Sequence, residues 1–381
     1  MRPAWAPDAL SLFLELAALP SPPGEERAVA DRVLDYLGAL GLEAHEDDAG
    51  AGIGSTMGNI LCRLEPRGDA RGAPLFFCAH LDTVPPEAAI DPVVGEDGFV
   101  RNPAGTILGA DDKSAVASML EAVARLVEEE RPHAGVELLF TPKEEVGLVG
   151  AAAFDETRLA ARLGYVYDHA GPIGEVILGA PYQRKLDARF HGRAAHAGMY
   201  PEEGRSAIAA AARAIADLRL GRLDDETSAS VGQIEGGTAR NVIPEHCWFA
   251  AEARSQDERK LADVVQEMVD TITFAAGLGE CEVEIQVGDA SPGYRFKRED
   301  VPVQLAATAL ERAGREPRFI LSGGGADANV FNERGLECVN LANGMTDIHT
   351  PEERIAADDL DEMVEVTLAL VEAAREVGDA A

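Results

Sequence analysis

The chain has 381 residues, 46% of them hydrophobic and 27% charged, enough for two domains or one large domain carrying an insertion. Its 34 Lys and Arg stand against 67 Asp and Glu, and a formal net charge of −33 argues against nucleic acid or an anionic membrane as a partner. No apolar run nears the roughly 18 residues of a membrane span, and the five scattered cysteines (Cys62, Cys78, Cys247, Cys281, Cys338) read as reduced and structural.

Residues 1–23 carry acids within an apolar run and read as an amphipathic helix ended by proline, not a cleavable signal, so a cytoplasmic location is expected. Residues 25–41 have helical apolar spacing and close on Gly41. Two short apolar runs bounded by Gly and Pro, 59–66 and 73–84, predict central strands, the second ending in His80 and Asp82. After a loop over 85–106, the run Gly109-Ala110-Asp111-Asp112-Lys113 opens a helical pattern. Its two acids fall at the helix N-terminus, where the dipole favours negative charge. Alone, the pair reads as an N-cap and a first-turn acid. Residues 136–147 predict a buried strand running into Glu144 and Glu145, and 163–171 repeat the arrangement with Asp168. In open α/β sheets ligands bind beyond the carboxyl ends of strands, so these side chains can converge although distant in sequence.

From about Ala180 the order becomes strand, helix, strand, strand, helix, strand, the split plan of a ferredoxin-like βαββαβ unit. Residues 180–291 are therefore expected to form an inserted domain. Helix, strand, helix, strand and a final helix follow, with His349 between the last two. The expected fold class is α/β: a discontinuous domain of residues 1–179 and 292–381, its central mixed sheet flanked by helices, plus the insertion.

His80, Asp111, Glu145, Asp168 and His349 supply two imidazoles and three carboxylates, a donor set for two zinc-like ions bridged by one acid. Each alone has a plainer reading: the histidines as loop residues, Asp168 as an N-cap. Together they stand in six flanked motifs: Ala79 to Val84, Gly109 to Lys113, Thr141 to Gly147, Gly192 to Gly198 around His196, Arg240 to Pro244, and Ile348-His349-Thr350. On these the sequence resembles, over nearly its whole length, the M20 family of dinuclear zinc exopeptidases. That family includes bacterial tripeptidases, glutamate carboxypeptidases, aminoacylases and succinyl-diaminopimelate desuccinylases. The likeness is to the tripeptidase-like (peptidase T-like) branch, through residues 322–331 and the terminal His segment.

The resemblance implies a zinc-exopeptidase-like catalytic domain and an insertion serving as lid and dimerisation domain of a homodimer. It implies that His80 and Asp168 hold one ion, Glu145 and His349 the other, and that Asp111 bridges them across a cis Asp111-Asp112 bond. Zinc is expected, although cobalt and manganese share such ligands. Asp82 is then expected to orient His80, and Glu144 to act as general acid and base. His196 is implied as an oxyanion stabiliser in the partner's site, or is a satisfied strand-end histidine. Arg240 and Asn241 are candidates for a substrate carboxylate, Arg240 reading equally as a surface-loop residue. Asp327 and Asn329 are expected to line the same cleft, unless the glycines at 323–325 form only a turn. The implied activity is metal-dependent hydrolysis of small peptides, tilted toward an aminopeptidase by Asp rather than Glu at 168. The alternatives are a carboxypeptidase or N-acyl-amino-acid amidohydrolase with the same ions and, more remotely, a non-catalytic metal or peptide binder. His169, where tripeptidases carry Gly, and Thr346-Asp347 depart from the pattern.

Overall fold

Four apolar runs become the centre of a mixed sheet: β1 (Leu75–His80), β2 (Val136–Thr141), β3 (Leu163–His169) and β4 (Glu337–Ala342). β1 lies parallel between β2 and β3, and β4 runs parallel to β3 on its other side. Every residue of β1 and β2 is buried, which explains why they read as continuous apolar runs rather than alternating ones. Antiparallel neighbours extend the sheet, Ile60–Leu64 along β2 and Glu175–Ala180 along β4. The strand Glu175–Ala180 was not expected from the sequence; two of its partners, β4 and Arg318–Leu321, lie beyond the insertion. The computed structural model describes residues 8–68 and 71–377, and no helix among them is long and apolar enough to cross a membrane.

Helix α1 (Ala110–Glu128) packs against the sheet and between the helices Ala9–Ala17 and Ala357–Ala374. Its buried positions run almost unbroken from Ala110 to Ala124, many of them Ala or Ser, so helices approach it closely from several sides. The N-terminal helix begins at Ala9, capped by Asp8 through the Ser11 N–H at 2.7 Å. The expectation for residues 1–7 lies outside the described residues.

By internal contacts the chain divides into two compact units, Met1–Ala180 with Arg295–Ala381, and Pro181–Tyr294. In the second unit the strands stand in the order Thr227–Gly236, His246–Ser255, Tyr182–His191, Glu282–Ser291, all antiparallel. Helices Ala207–Asp217 and Glu258–Leu278 cover one face, burying Leu186, Ala188 and Phe190 from one strand and Phe249, Ala251 and Ala253 from its neighbour. Outward positions alternate with these, as a half-covered antiparallel sheet requires.

Candidate active site

Because β1, β2 and β3 are parallel neighbours, their carboxyl ends open at one edge and the residues beyond them meet there. His80 closes β1, Glu144 and Glu145 follow β2, and Asp168 stands near the end of β3. Asp111 comes from the start of α1, where it and Asp112 leave helical geometry and the Asp111-Asp112 peptide bond is cis, as expected. His349 sits in a loop at φ +62°, a left-handed conformation that non-glycine residues adopt rarely.

Asp111 is central to the cluster. One of its oxygens, Oδ1, lies 3.1 Å from His80 Nε2, and the other, Oδ2, lies 3.1 Å from His349 Nε2. His349 Nε2 is also 2.9 Å from Glu145 Oε1. Two groups of potential ligands result, His80 with Asp111 and Asp168, and Asp111 with Glu145 and His349, the ligand atoms of each lying within 4.8 Å of one another. Oxygen and nitrogen ligands bind such ions at roughly 2.0 to 2.2 Å, so groups of this size can close around one ion each. The five residues come together at this edge, with Asp111 in both groups.

Asp82 contacts both His80 and the backbone beyond β2. The His80 Nδ1 faces the Asp82 backbone carbonyl at 2.9 Å and its carboxylate Oδ1 at 3.4 Å, while Oδ1 and Oδ2 accept the backbone N–H groups of Glu144 and Glu145 at 2.9 and 3.1 Å. One buried residue thereby faces the His80 imidazole with both its carbonyl and its carboxylate and bonds the backbone of Glu144 and Glu145.

Electrostatics follow from crowding. Burial, reinforced by Asp327, Glu145 and Asp111, pushes the Glu144 carboxyl well above the usual range. Burial with Asp111 and Glu144 does the same to Asp168. Burial opposes ionisation of Asp111, but hydrogen bonds from His349 and His80 outweigh it and hold this carboxyl below the usual range. The hydrogen bond to Asp111, then that to Glu145, raises His349 to about 10. A site that concentrates carboxylates beside two imidazoles, with each imidazole touching the shared acid, fits a pair of divalent ions by the chemistry of its donors.

The remaining residues divide. Asp327 and Asn329 open the helix Asp327–Glu333 in the interior, not on an open wall: Asp327 Oδ2 accepts the Thr141 hydroxyl at 2.5 Å and faces Cys78 Sγ at 3.8 Å. Asn329 Oδ1 accepts the Ala326 N–H at 3.1 Å. The glycine run hid this, because burial of the turn beyond it is a tertiary property. In the Pro181–Tyr294 unit, His196 pairs with Val242 in a short ribbon, and Ala197 N–H reaches the Asn241 carbonyl at 3.0 Å. His196 Nδ1 accepts the N–H groups of Gly198 and Met199, each at 3.2 Å, leaving the ring exposed beside exposed Arg240 and Asn241.

Residues 76–373, most of the chain, match the family described as peptidase family M20/M25/M40. The chain belongs to this family. An M20 peptidase hydrolyses peptide bonds, and the sequence-based assignment to an exopeptidase-like α/β fold stands. Among solved structures, an aminopeptidase PepT from Bacillus cereus ATCC 10987 is 39% identical, with 96% of this chain and 98% of that one covered and a TM-score of 0.89. A tripeptidase from Staphylococcus aureus subsp. aureus Mu50 is 33% identical, covering 97% and 98%, with a TM-score of 0.92. The uncharacterised protein YqjE of Bacillus subtilis strain 168 is 39% identical over 367 residues, 96% of this chain and 98% of its own. One residue of this M20 peptidase escaped sequence reasoning. Glu353 is buried and binds the backbone around Asp111, yet in the sequence it is indistinguishable from its neighbour Glu352.

Proposed function

We propose that this peptidase is a tripeptidase-like aminopeptidase, releasing the N-terminal residue of small peptides, with two zinc ions held by His80, Asp111 and Asp168 and by Asp111, Glu145 and His349. The observation that carries the reading is the pair of ligand groups sharing Asp111, with Glu144 beside them. The likeness to an aminopeptidase PepT and a tripeptidase, each across nearly the full chain, supports the substrate class.

Ions bound there supply Lewis acidity toward a substrate carbonyl and acidify a water molecule. The chain does the rest. Asp82 holds Glu144 at the rim by its backbone N–H while leaving the Glu144 carboxyl free of that bond. As water adds to the scissile carbonyl carbon, a Glu144 oxygen takes the proton it loses; the same proton then passes to the departing amine nitrogen, which leaves neutral. In the proposal His196 stabilises the developing oxyanion in the site of a second subunit, and Arg240 and Asn241 receive the peptide's terminal carboxylate. The enzyme acts as a cytoplasmic homodimer formed through its Pro181–Tyr294 unit.

The test is zinc-loaded protein on free and N-acetylated tripeptides, N-acyl amino acids and C-terminal glutamyl peptides, read by mass spectrometry. Release of the first residue from free tripeptides only is expected. Cleavage of blocked peptides or release of C-terminal residues would reverse the polarity, and the absence of chelator-sensitive hydrolysis would sink the reading.

A further inference from the structure

The chain after His349 turns back on itself within a few residues. Thr350 Oγ1 donates to the Asp347 carbonyl at 2.6 Å and accepts the Glu352 N–H at 3.2 Å, and Glu353 N–H reaches the Thr350 carbonyl at 3.2 Å. The turn delivers Glu353 into the interior, where it is 2% exposed. Its Oε2 accepts the backbone N–H groups of Leu108 and Gly109 at 2.8 and 2.9 Å, and its Oε1 accepts that of Asp111 at 3.0 Å.

Helix starts leave backbone N–H groups without partners, and a Ser, Thr, Asp or Asn at the N-cap ordinarily answers them. Here the N-cap residue of α1 is Gly109, which has no side chain to offer. The acceptor comes instead from the far end of the chain, four positions after a ligand. A carboxylate receiving three N–H groups out of contact with water makes strong, direction-specific bonds. Buried Lys113, whose Nζ donates to the Leu19 carbonyl at 2.6 Å, lies close enough to Glu353 for attraction, while burial lowers Lys113 to about 7 and raises the Glu353 carboxyl.

The connection matters because of what each end carries. Asp111 Oδ2 and His349 Nε2 must stand at a fixed spacing for the second ion, and both backbones are anchored to one carboxylate, Asp111 directly and His349 through the short turn. Among the described residues the Glu353 carboxylate bonds only the backbone of Leu108, Gly109 and Asp111; what ties it to the second group is the short turn that also carries His349, and no such turn joins it to His80 or Asp168.

We propose that Glu353 is a positioning residue for the second ion group, setting the distance between the bridging Asp111 and His349, and that it acts there selectively. This rests on the two-ion reading given above. The experiment is calorimetric titration of chelator-stripped, full-length protein with zinc, together with cobalt absorption spectra, for wild type, Glu353→Gln and Glu353→Asp. In Glu353→Gln the amide presents N–H groups where an acceptor is required. Its first ion should bind within about threefold of wild type, and its second should weaken roughly 10- to 100-fold, the usual effect of losing a group that orients a ligand. The cobalt band of the second equivalent should fade accordingly. Glu353→Asp keeps the charge one methylene short and should recover part of the second affinity.

A residue that merely stabilised the fold would lower both affinities together. Equal loss at both sites, unchanged binding in a folded Glu353→Gln protein, or failure of both variants to fold overturns the proposal. Ion binding is read without substrate, so a wild-type protein that binds two ions and cleaves no peptide would refute the function proposed above and leave this test intact.

Discussion

At the scale of single residues the site is a division of labour among carboxylates. Glu145 meets His349 while Glu144, one residue before it, carries no ligand contact, so Glu144→Gln should leave about two ions per chain by elemental analysis and lower kcat by about 10²- to 10⁴-fold. Turnover near the wild-type rate would remove Glu144 from proton transfer. Asp82 bonds to both backbones and faces His80, so Asp82→Ala should weaken ion affinity or activity roughly 10- to 100-fold; an effect on kcat alone, with ions bound normally, would contradict its orienting role. Without ions, the hydrogen bonds to Asp111 and Glu145 that push His349 up to about 10 should keep it charged at pH 8, and although burial opposes charge on His80, its hydrogen bonds to Asp111 and Asp82 push it well above the usual imidazole range. Zinc must displace those protons. Calorimetry at pH 8 in buffers of different ionisation enthalpy should report release of roughly one to two protons per chain; a buffer-independent heat would refute this. The sign also fixes a stability trend for that stripped form: a raised imidazole stabilises fully below its ordinary value near 6.5, and the contribution fades as pH climbs toward 10. The five residues of the cluster were legible because each sits in a distinctive short motif. Glu353 was not, since its partners are backbone groups more than 200 positions away, and nothing local separates it from Glu352.

At the scale of elements, long apolar strands declared themselves and short ones did not. β1 to β4 are apolar enough to be read directly, whereas Val93–Val94, Phe99–Arg101 and Arg354–Ala356 exist only because they pair with one another across the chain. The sheet that supports the site is also tightly fitted. Gly164 in β3 stands opposite Phe76 in β1, and a Cβ there would meet the Phe76 ring at 2.1 Å. That ring is held edge-on by Phe331 at 5.4 Å between centroids and has little room to retreat. Gly164→Ala should therefore destabilise the protein by about 1–3 kcal/mol, read as a lower denaturant midpoint with an unchanged slope. A neutral result would mean that the Phe76 ring moves freely.

At the scale of the whole molecule, the charge of −33 makes bound cations part of the stability as well as the chemistry. Ligand that binds only the folded state stabilises it by about 2.7 kcal/mol when free ion is 100 times its dissociation constant. Chelation should thus lower the melting temperature, and moderate sodium chloride should recover part of the loss by screening repulsion; a melting curve indifferent to chelator would exclude ions from the acidic cluster. The order of the shared-acid pair along the chain has another consequence. Asp111 faces His80 with one oxygen and His349 with the other, and the whole Pro181–Tyr294 unit is translated between the two halves of that arrangement. During synthesis His80, Asp111, Glu145 and Asp168 all precede that unit, whereas His349 and Glu353 leave the ribosome only after it. A polypeptide cut short before His349 lacks one member of the group formed with Asp111 and Glu145, together with the carboxylate that receives the Asp111 N–H, so the cluster is complete only once the last part of the message is read.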